Sequence, residues 1–194
     1  MRQQKLKYMR SGGMAVLGIL LVMSMPLLAM ARQSNPKAEL NTTQSQGVLA
    51  EKVRHELVML PWYSVFDNLG FQIEGNNTVV LEGQVVRPTL KSDAGNVVKR
   101  IEGVTQVVNN IEVLPVSPND DRIRVAAYRA IYFQPGMWKY RIQAVPPIHI
   151  IVDNGHITLV GVVGSQMDKT LAYMAAERVH GAFSVTDELR VHGG

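Results

Sequence analysis

Hydrophobic positions in this chain follow two periods, one of three to four residues and one of two, and the whole pattern is written twice. From Val48 to Leu60, the residues Leu49, Val53, Leu57 and Leu60 fall at three- and four-residue intervals, which predicts a helix that Pro61 ends. Phe71 to Glu74 and Thr78 to Val86 then predict a hairpin turning at Asn76-Asn77, with apolar Val79, Leu81 and Val85 alternating with Glu82 and Gln84. A second helical stripe follows at Leu90, Ala94, Val97, Val98 and Ile101, with Gly103 just beyond it, where a left-handed residue closes a helix. Val104 to Leu114 completes the unit as a strand.

Shifting the chain by 78 residues lays Asn76 to Leu114 on Asn154 to His192 without a gap. Leu81/Leu159, Gly83/Gly161, Lys91/Lys169, Arg100/Arg178, Gly103/Gly181 and Val113/Val191 are among the identities. Upstream the register becomes 74, pairing Leu57 with Ile131 and Pro61 with Pro135, so the second copy carries extra residues before its first strand. Ile123 to Ile131 repeats the first helical stripe, Asn154-Gly155 repeats the turn, and Gly181 repeats the helix-closing glycine. A duplicated unit of about seventy residues is long enough to fold as a small domain.

The fold class is therefore α+β: two tandem small α-β-β-α-β domains, each a three-stranded mixed sheet with two helices on one face. The right-handed strand-helix-strand crossover places both helices on the same side. Gly83 and Gly161 fall mid-strand on the inward face, where a closely packed helix would require them. The expected domains are residues 48–116 and 121–194, preceded by a polar, flexible linker at 32–47.

Residues 1–31 have the marks of a signal peptide: basic MRQQKLKYMR, apolar Met14 to Leu28, then Ala29-Met30-Ala31. Pro26 and the small-residue site favour cleavage before Arg32 over retention as a single-span anchor. In either case the bulk is exported, periplasmic or secreted. The leader holds Arg2, Lys5, Lys7 and Arg10 and no acid, so the remaining sixteen basic residues match the sixteen acidic ones. This balance gives no basic field for nucleic acid. The chain has no cysteine, which excludes disulfides, thiolate metal sites and a lipidated N-terminal cysteine.

Catalytic chemistry finds little support. His149, His156, His180 and His192 lack metal-ligand spacing, Asp120-Asp121 and Asp187-Glu188 look like solvated charges, and neither a phosphate loop nor a nucleophile motif is present. The expectation is no enzyme, no metal and no cofactor.

The segments NNTVVLEGQV and IEGVTQVVNNIEV, separated by a helix, closely resemble the BON domain, the small bacterial module named for OsmY and nodulation proteins. DNGHITLVGVV with VHGAFSVTDELRV resembles a second, more diverged copy. The resemblance implies a non-enzymatic, OsmY-like protein of the periplasm or envelope that binds phospholipid surfaces or envelope partners. Two departures stand out. The chain lacks the acylated cysteine of dual-BON outer-membrane lipoproteins, and Asp187-Glu188 replaces Asn109-Asn110.

Differences between the copies point to a candidate surface. Asp93, Gly95 and Asn96 of the first copy become Leu171, Tyr173 and Met174, off the stripe of Ala172, Ala175, Ala176 and Val179 and beside Lys169 and Arg178. Such outward apolar groups suit a membrane or partner, or equally a contact with the first domain. From Arg122 to Val152 there is no acidic residue, and this stretch contains PGMWKYR. Trp138, Lys139, Tyr140 and Arg141 suit a bilayer interface, the competing reading being that the rings pack on their own core. In LPWYSVF, by contrast, Trp62, Tyr63 and Phe66 have no basic neighbour and are expected in the core or at a domain interface.

The function expected is binding of anionic phospholipid surfaces, mainly through the second domain, in support of envelope integrity or a stress response. The alternative is a periplasmic chaperone or adaptor for unfolded clients or envelope proteins. Oligomeric state, lipid identity and domain orientation are not encoded in these patterns.

Overall fold

A computed structural model describes residues 36–143 and 145–193. The leader, and with it the cleavage site, lies outside these residues. The first domain runs α1 (Pro36–Val58), β1 (Asn68–Glu74), β2 (Thr78–Val85), α2 (Pro88–Lys99), β3 (Gln106–Asn109) and β4 (Glu112–Val113). The second runs α3 (Pro118–Tyr132), a short α4 (Trp138–Arg141), β5 (Ile148–Asp153), β6 (His156–Val163), α5 (Gln166–Glu177) and β7 (Ser184–Val191).

Each sheet is mixed. β1 pairs antiparallel with β2, and β3 and β4 pair parallel with β2 on its other side. In the second domain β5 pairs antiparallel with β6, and β7 pairs parallel with it. The parallel ladders share one register: Thr78 faces Gln106 and His156 faces Ser184, the same separation in both copies. The hairpin turns use left-handed asparagines, Asn76 and Asn77 at φ 60° and 54° and Asn154 at 48°, as tight hairpins require.

The first sheet departs from the three-strand expectation. Its last strand is broken into β3 and β4, making four strands in all. The interruption falls at Asn110-Ile111, where the Asn109 side chain turns back on its own backbone. Its amide donates to the Lys91 carbonyl at 2.8 Å, and its oxygen accepts from Ile111 N–H at 3.3 Å. The bond to the α2 carbonyl is what distinguishes this copy: Asp187 likewise accepts from Leu189 N–H, at 3.0 Å, and β7 runs on unbroken.

The helices cover one face of each sheet. Leu49, Val53 and Leu57 of α1 and Leu90, Ala94 and Val98 of α2 meet Val79, Leu81 and Val85. Ile123, Ala127 and Ile131 of α3 and Ala172, Ala175 and Ala176 of α5 meet Ile148, Ile150, Ile157 and Leu159. Gly83 and Gly161 sit within the sheet, but the reason is not a helix. Both have positive φ, 113° and 134°, and an added Cβ would lie 2.0 Å from the Asn68 carbonyl oxygen and 1.9 Å from that of Pro147. Gly103 and Gly181 are left-handed at φ 97° and 92°, a few residues past α2 and α5.

Two further features differ from the sequence patterns, and a third, the connector after α1, meets the expected domain interface at Tyr63 and Phe66 but leaves Trp62 exposed. α1 is drawn from Pro36, so most of the stretch read as a linker is helical. Asp120 is buried rather than solvated: its carboxylate accepts from the N–H groups of Asn154 and Gly155 at 3.1 and 2.8 Å, which ties the start of α3 to the second hairpin turn. The connector after α1 serves both domains. Tyr63 packs on the first core, whereas Val65 is buried in the second. The outer faces of the two sheets border a polar cleft of about 520 Å³, lined in part by Gln84, Glu112, Thr158 and Glu188. Ile151 is buried beside it, but Val160 is only half-buried and Val162 stays exposed.

Candidate functional site

The acid-free stretch of the second domain folds into a compact projection after α3. Phe133 caps that helix, its N–H bonding to the Arg129 carbonyl at 3.2 Å, and Gly136 at φ 90° reverses the chain. Met137, fully buried, anchors the return, and Trp138 to Arg141 make a single helical turn.

One turn of helix sends neighbours to opposite sides. Tyr140 points inward and is buried; its hydroxyl donates to Asp168 Oδ2 at 2.8 Å and accepts from Gly164 N–H at 2.7 Å. Trp138 and Ile142, four residues apart, point outward at 60% and 69% exposure, and Phe133 is 62% exposed. The Arg141 guanidinium lies 4.5 Å from the centre of the Phe133 ring, an attractive cation-π geometry. Three large apolar groups are thus exposed within ten residues, one of them under an arginine whose charge remains at the surface.

Asp168 holds this projection against α5. It is buried and accepts from Lys139 Nζ at 2.9 Å, from Tyr140 and from Ser165 Oγ at 2.8 Å, while its own N–H bonds Ser165 Oγ at 3.1 Å. Ser165 is thereby the N-cap of α5. Burial alone would raise the Asp168 pKa, but the hydrogen bonds from Lys139, Ser165 and Tyr140 outweigh it and hold the carboxyl below its ordinary value. The same hydrogen bond raises the Lys139 pKa, so both groups stay charged at neutral pH.

The nine residues singled out in the sequence divide accordingly. Trp138, Lys139 and Arg141 share the exposed projection, and Tyr140 does not belong to its surface. On α5 the outward apolar face is largely dissolved. Lys169 Nζ donates to the Leu189 carbonyl and lies 3.7 Å from Asp187, which is what the Asn-to-Asp change between the copies provides. Leu171 packs against the core, because a stripe of alanines lets the helix sit close enough for its flank to be covered. Tyr173 is half-buried with its hydroxyl donating to Glu177 at 2.9 Å, which leaves Met174 and Arg178 exposed. Phe133 and Ile142 were missed. Their signal was position alone, since they flank PGMWKYR inside the acid-free stretch.

The BON domain family model matches residues 45–115 and 138–193, together well over half of the chain. The chain belongs to the BON domain family. It carries two BON domains, and the exposed projection opens the second match. The family is non-catalytic, and among the described residues no group of three or more His, Cys, Asp or Glu is placed to hold a metal. No helix among those residues is long and apolar enough to cross a membrane. No curated relative matches the chain. Two solved structures of CdsD, described as a structural protein of the Type III secretion system of Chlamydia trachomatis, are similar at 13% identity. The first, its C-terminal domain, has a TM-score of 0.28 over 74% of this chain and 96% of that one; the second has 0.27 over 74% and 91%. At that level of similarity neither assigns a function or partner to these BON domains.

Proposed function

We propose that this BON protein is an exported envelope protein that associates peripherally with anionic phospholipid surfaces through the Phe133–Ile142 projection of its second domain. One observation carries the proposal: Phe133, Trp138 and Ile142 are all exposed, with Arg141 over the Phe133 ring, in a stretch without a single acidic residue. Aromatic rings of this kind partition to headgroup depth, and the cations gain from anionic lipid there. The hydrogen bonds of Asp168 to Tyr140 and Lys139 hold the turn in place, which reduces the ordering cost of contact. Met174 and Arg178 of α5 extend the reading; Leu171 and Lys169 play no direct part in it.

The test is co-sedimentation of residues 32–194 with phosphatidylglycerol and with phosphatidylcholine vesicles. The expected result is salt-sensitive binding to the anionic vesicles, lowered at least about tenfold in the Trp138→Ser, Ile142→Asp double variant. Binding that ignores lipid charge, or a folded variant that pellets like wild type, would count against this surface and in favour of a protein client.

A further inference from the structure

A second surface, along α3 and at the seam between the domains, is built for a different ligand. Trp62 and Phe66 of the connector, Arg87 at the end of β2, and Arg124 and Val125 of α3 line a cleft of about 410 Å³ at the seam between the domains. Pockets of that size hold a side chain or two. Asp121 and Val125 also line a shallower trough of about 440 Å³ that continues along α3 past Arg122, Ala126 and Arg129. Cleft and trough therefore form one groove. Arg122, Val125, Ala126 and Arg129 are spaced by three, four and seven residues, so they form one stripe of the helix, and all four are exposed.

The charge in this groove is one-sided. Asp67 is buried and spent on Ser64 N–H, the Ser64 hydroxyl and Val86 N–H, and the one exposed carboxylate of the lining, Asp121, pairs through one oxygen with Arg124 at 2.6 Å, which leaves an excess of arginine. Among the described residues Arg87, Arg122 and Arg129 have no carboxylate partner. Arg87 rests on the Trp62 ring at 4.9 Å, and Arg122 bonds only the Asn119 amide oxygen at 3.2 Å. Arg124, 3% exposed, keeps an Nε without any hydrogen-bond partner in the same wall.

Trp62 adds a separate observation. Its backbone is left-handed at φ 70°, a conformation that bulky residues rarely adopt, and yet the ring is 70% exposed. Strain of this kind persists where a side chain must be presented, as in ligand clamps. The Trp62 indole, stacked under Arg87, forms a rigid amphipathic rim to the cleft.

We infer that this groove docks an acidic, extended segment of a partner protein, with an apolar side chain in the Trp62 cleft and carboxylates on Arg122 and Arg129. Those arginines lie seven residues apart on a helix, about 10 Å at ~1.5 Å per residue. A segment extended as polyproline II rises ~3.1 Å per residue with three residues per turn, so carboxylates three residues apart lie on one face about 9 Å apart and match them. Guanidinium groups favour carboxylates through paired, charge-assisted bonds. A bilayer fits a projecting surface such as Phe133–Ile142, whereas the Trp62 cleft at the head of this groove is walled by residues of both domains. The inference goes beyond the lipid reading and does not depend on it.

The experiment is fluorescence anisotropy of the full chain with a labelled acidic peptide carrying two glutamates three residues apart and a neighbouring leucine. A control peptide has glutamine at both positions. The expected result is saturable binding of the acidic peptide alone, weakened at least about tenfold by Arg122→Glu with Arg129→Glu, which alter only exposed side chains. Trp62→Gly, which relieves the left-handed backbone, is expected to weaken the peptide about fivefold or more without lowering thermal stability. Anionic vesicles are the second arm, with the arginine and Trp138 variants compared on the same chain. The proposal fails if the acidic peptide does not bind, if the arginine variant binds it as wild type does, or if that variant loses vesicles but keeps the peptide. Loss of vesicle binding in the Trp138→Ser, Ile142→Asp variant with peptide binding intact supports two separate surfaces.

Discussion

Val65 and Ile150 stand on opposite sides of the duplication, and a backbone hydrogen bond of 2.7 Å joins them, Ile150 N–H donating to the Val65 carbonyl. β5 is the edge strand of the second sheet, so this bond meets part of an edge that would otherwise face solvent. Beside it Phe66 meets Tyr128 edge-on, ring centres 6.3 Å apart, and the Val65 side chain lies in the second core. The first domain's connector is in energetic terms a part of the second domain.

Val65→Asp is therefore expected to destabilise the second domain by about 3 kcal/mol, the penalty of an unpaired carboxylate in an apolar core. Amide hydrogen exchange provides the check. Protection should fall in β5 and β6 well before it falls in β2. A loss confined to the first domain would sink the idea that the connector belongs to both.

The same seam carries a pH dependence. Burial beside Tyr63, whose ring stacks on the imidazole at 5.6 Å, pushes His149 below its ordinary value of 6.5, and the backbone carbonyls of Asp67 and Ser64 and the Asp67 carboxylate only partly oppose this. Burial also pushes the Tyr63 hydroxyl up to about 12, so Tyr63 stays neutral. As pH falls below that ordinary value the unfolded chain takes up a proton at His149 that the folded chain refuses. The unfolded state then binds more protons, and stability falls until the folded pKa is reached. Thermal melts between about pH 7.5 and about pH 5.5 should show this loss in wild type, and His149→Gln should lose the part of the slope that belongs to this group. An unchanged slope in the variant would assign the dependence elsewhere.

Asp168→Ala removes the acceptor for the Ser165 hydroxyl, Tyr140 and Lys139 at once, while the backbone N–H of residue 168 can still bond Ser165 Oγ. The expected cost is about 2 kcal/mol, from lost charge-assisted bonds. Urea titration measures it. Because the projection then loses its tether to α5, vesicle binding should weaken although no exposed side chain has changed. Unaltered vesicle binding in a measurably destabilised protein would separate the tether from the surface.

Much of the fold was legible because its signals are local. Helical stripes, strand alternation and left-handed turns at Asn76-Asn77 and Asn154-Gly155 lie within a few residues of one another, and the duplication states each twice. Tyr140 was misplaced for a local reason too. In a single helical turn four adjacent residues point in four directions, and only the buried Asp168, 28 residues downstream, decides which one faces inward. The role of Val65 was illegible because its partner belongs to the other copy. Leu171 was misplaced because the pattern does not say how near an alanine-striped helix sits to its sheet.

Gly161→Ala tests a position where two independent constraints coincide. The positive φ and the Pro147 carbonyl oxygen 1.9 Å from any Cβ together predict a loss of about 3 kcal/mol, and Gly83→Ala, against the Asn68 carbonyl, should behave alike. Urea midpoints for both variants give the answer. A neutral alanine would mean that the strand shifts freely, which the continuous β6–β7 register argues against.

The connectors of the two copies have taken different fates. The first lends Val65 to the next domain, whereas its counterpart after α3 is folded back on its own domain through Tyr140 and Asp168. Growth by adding copies, as in stacked repeat arrays, needs every unit to offer its neighbour the same edge. Here the second unit folds the corresponding connector onto itself, so the pair is asymmetric in structure although its sequence is a repeat.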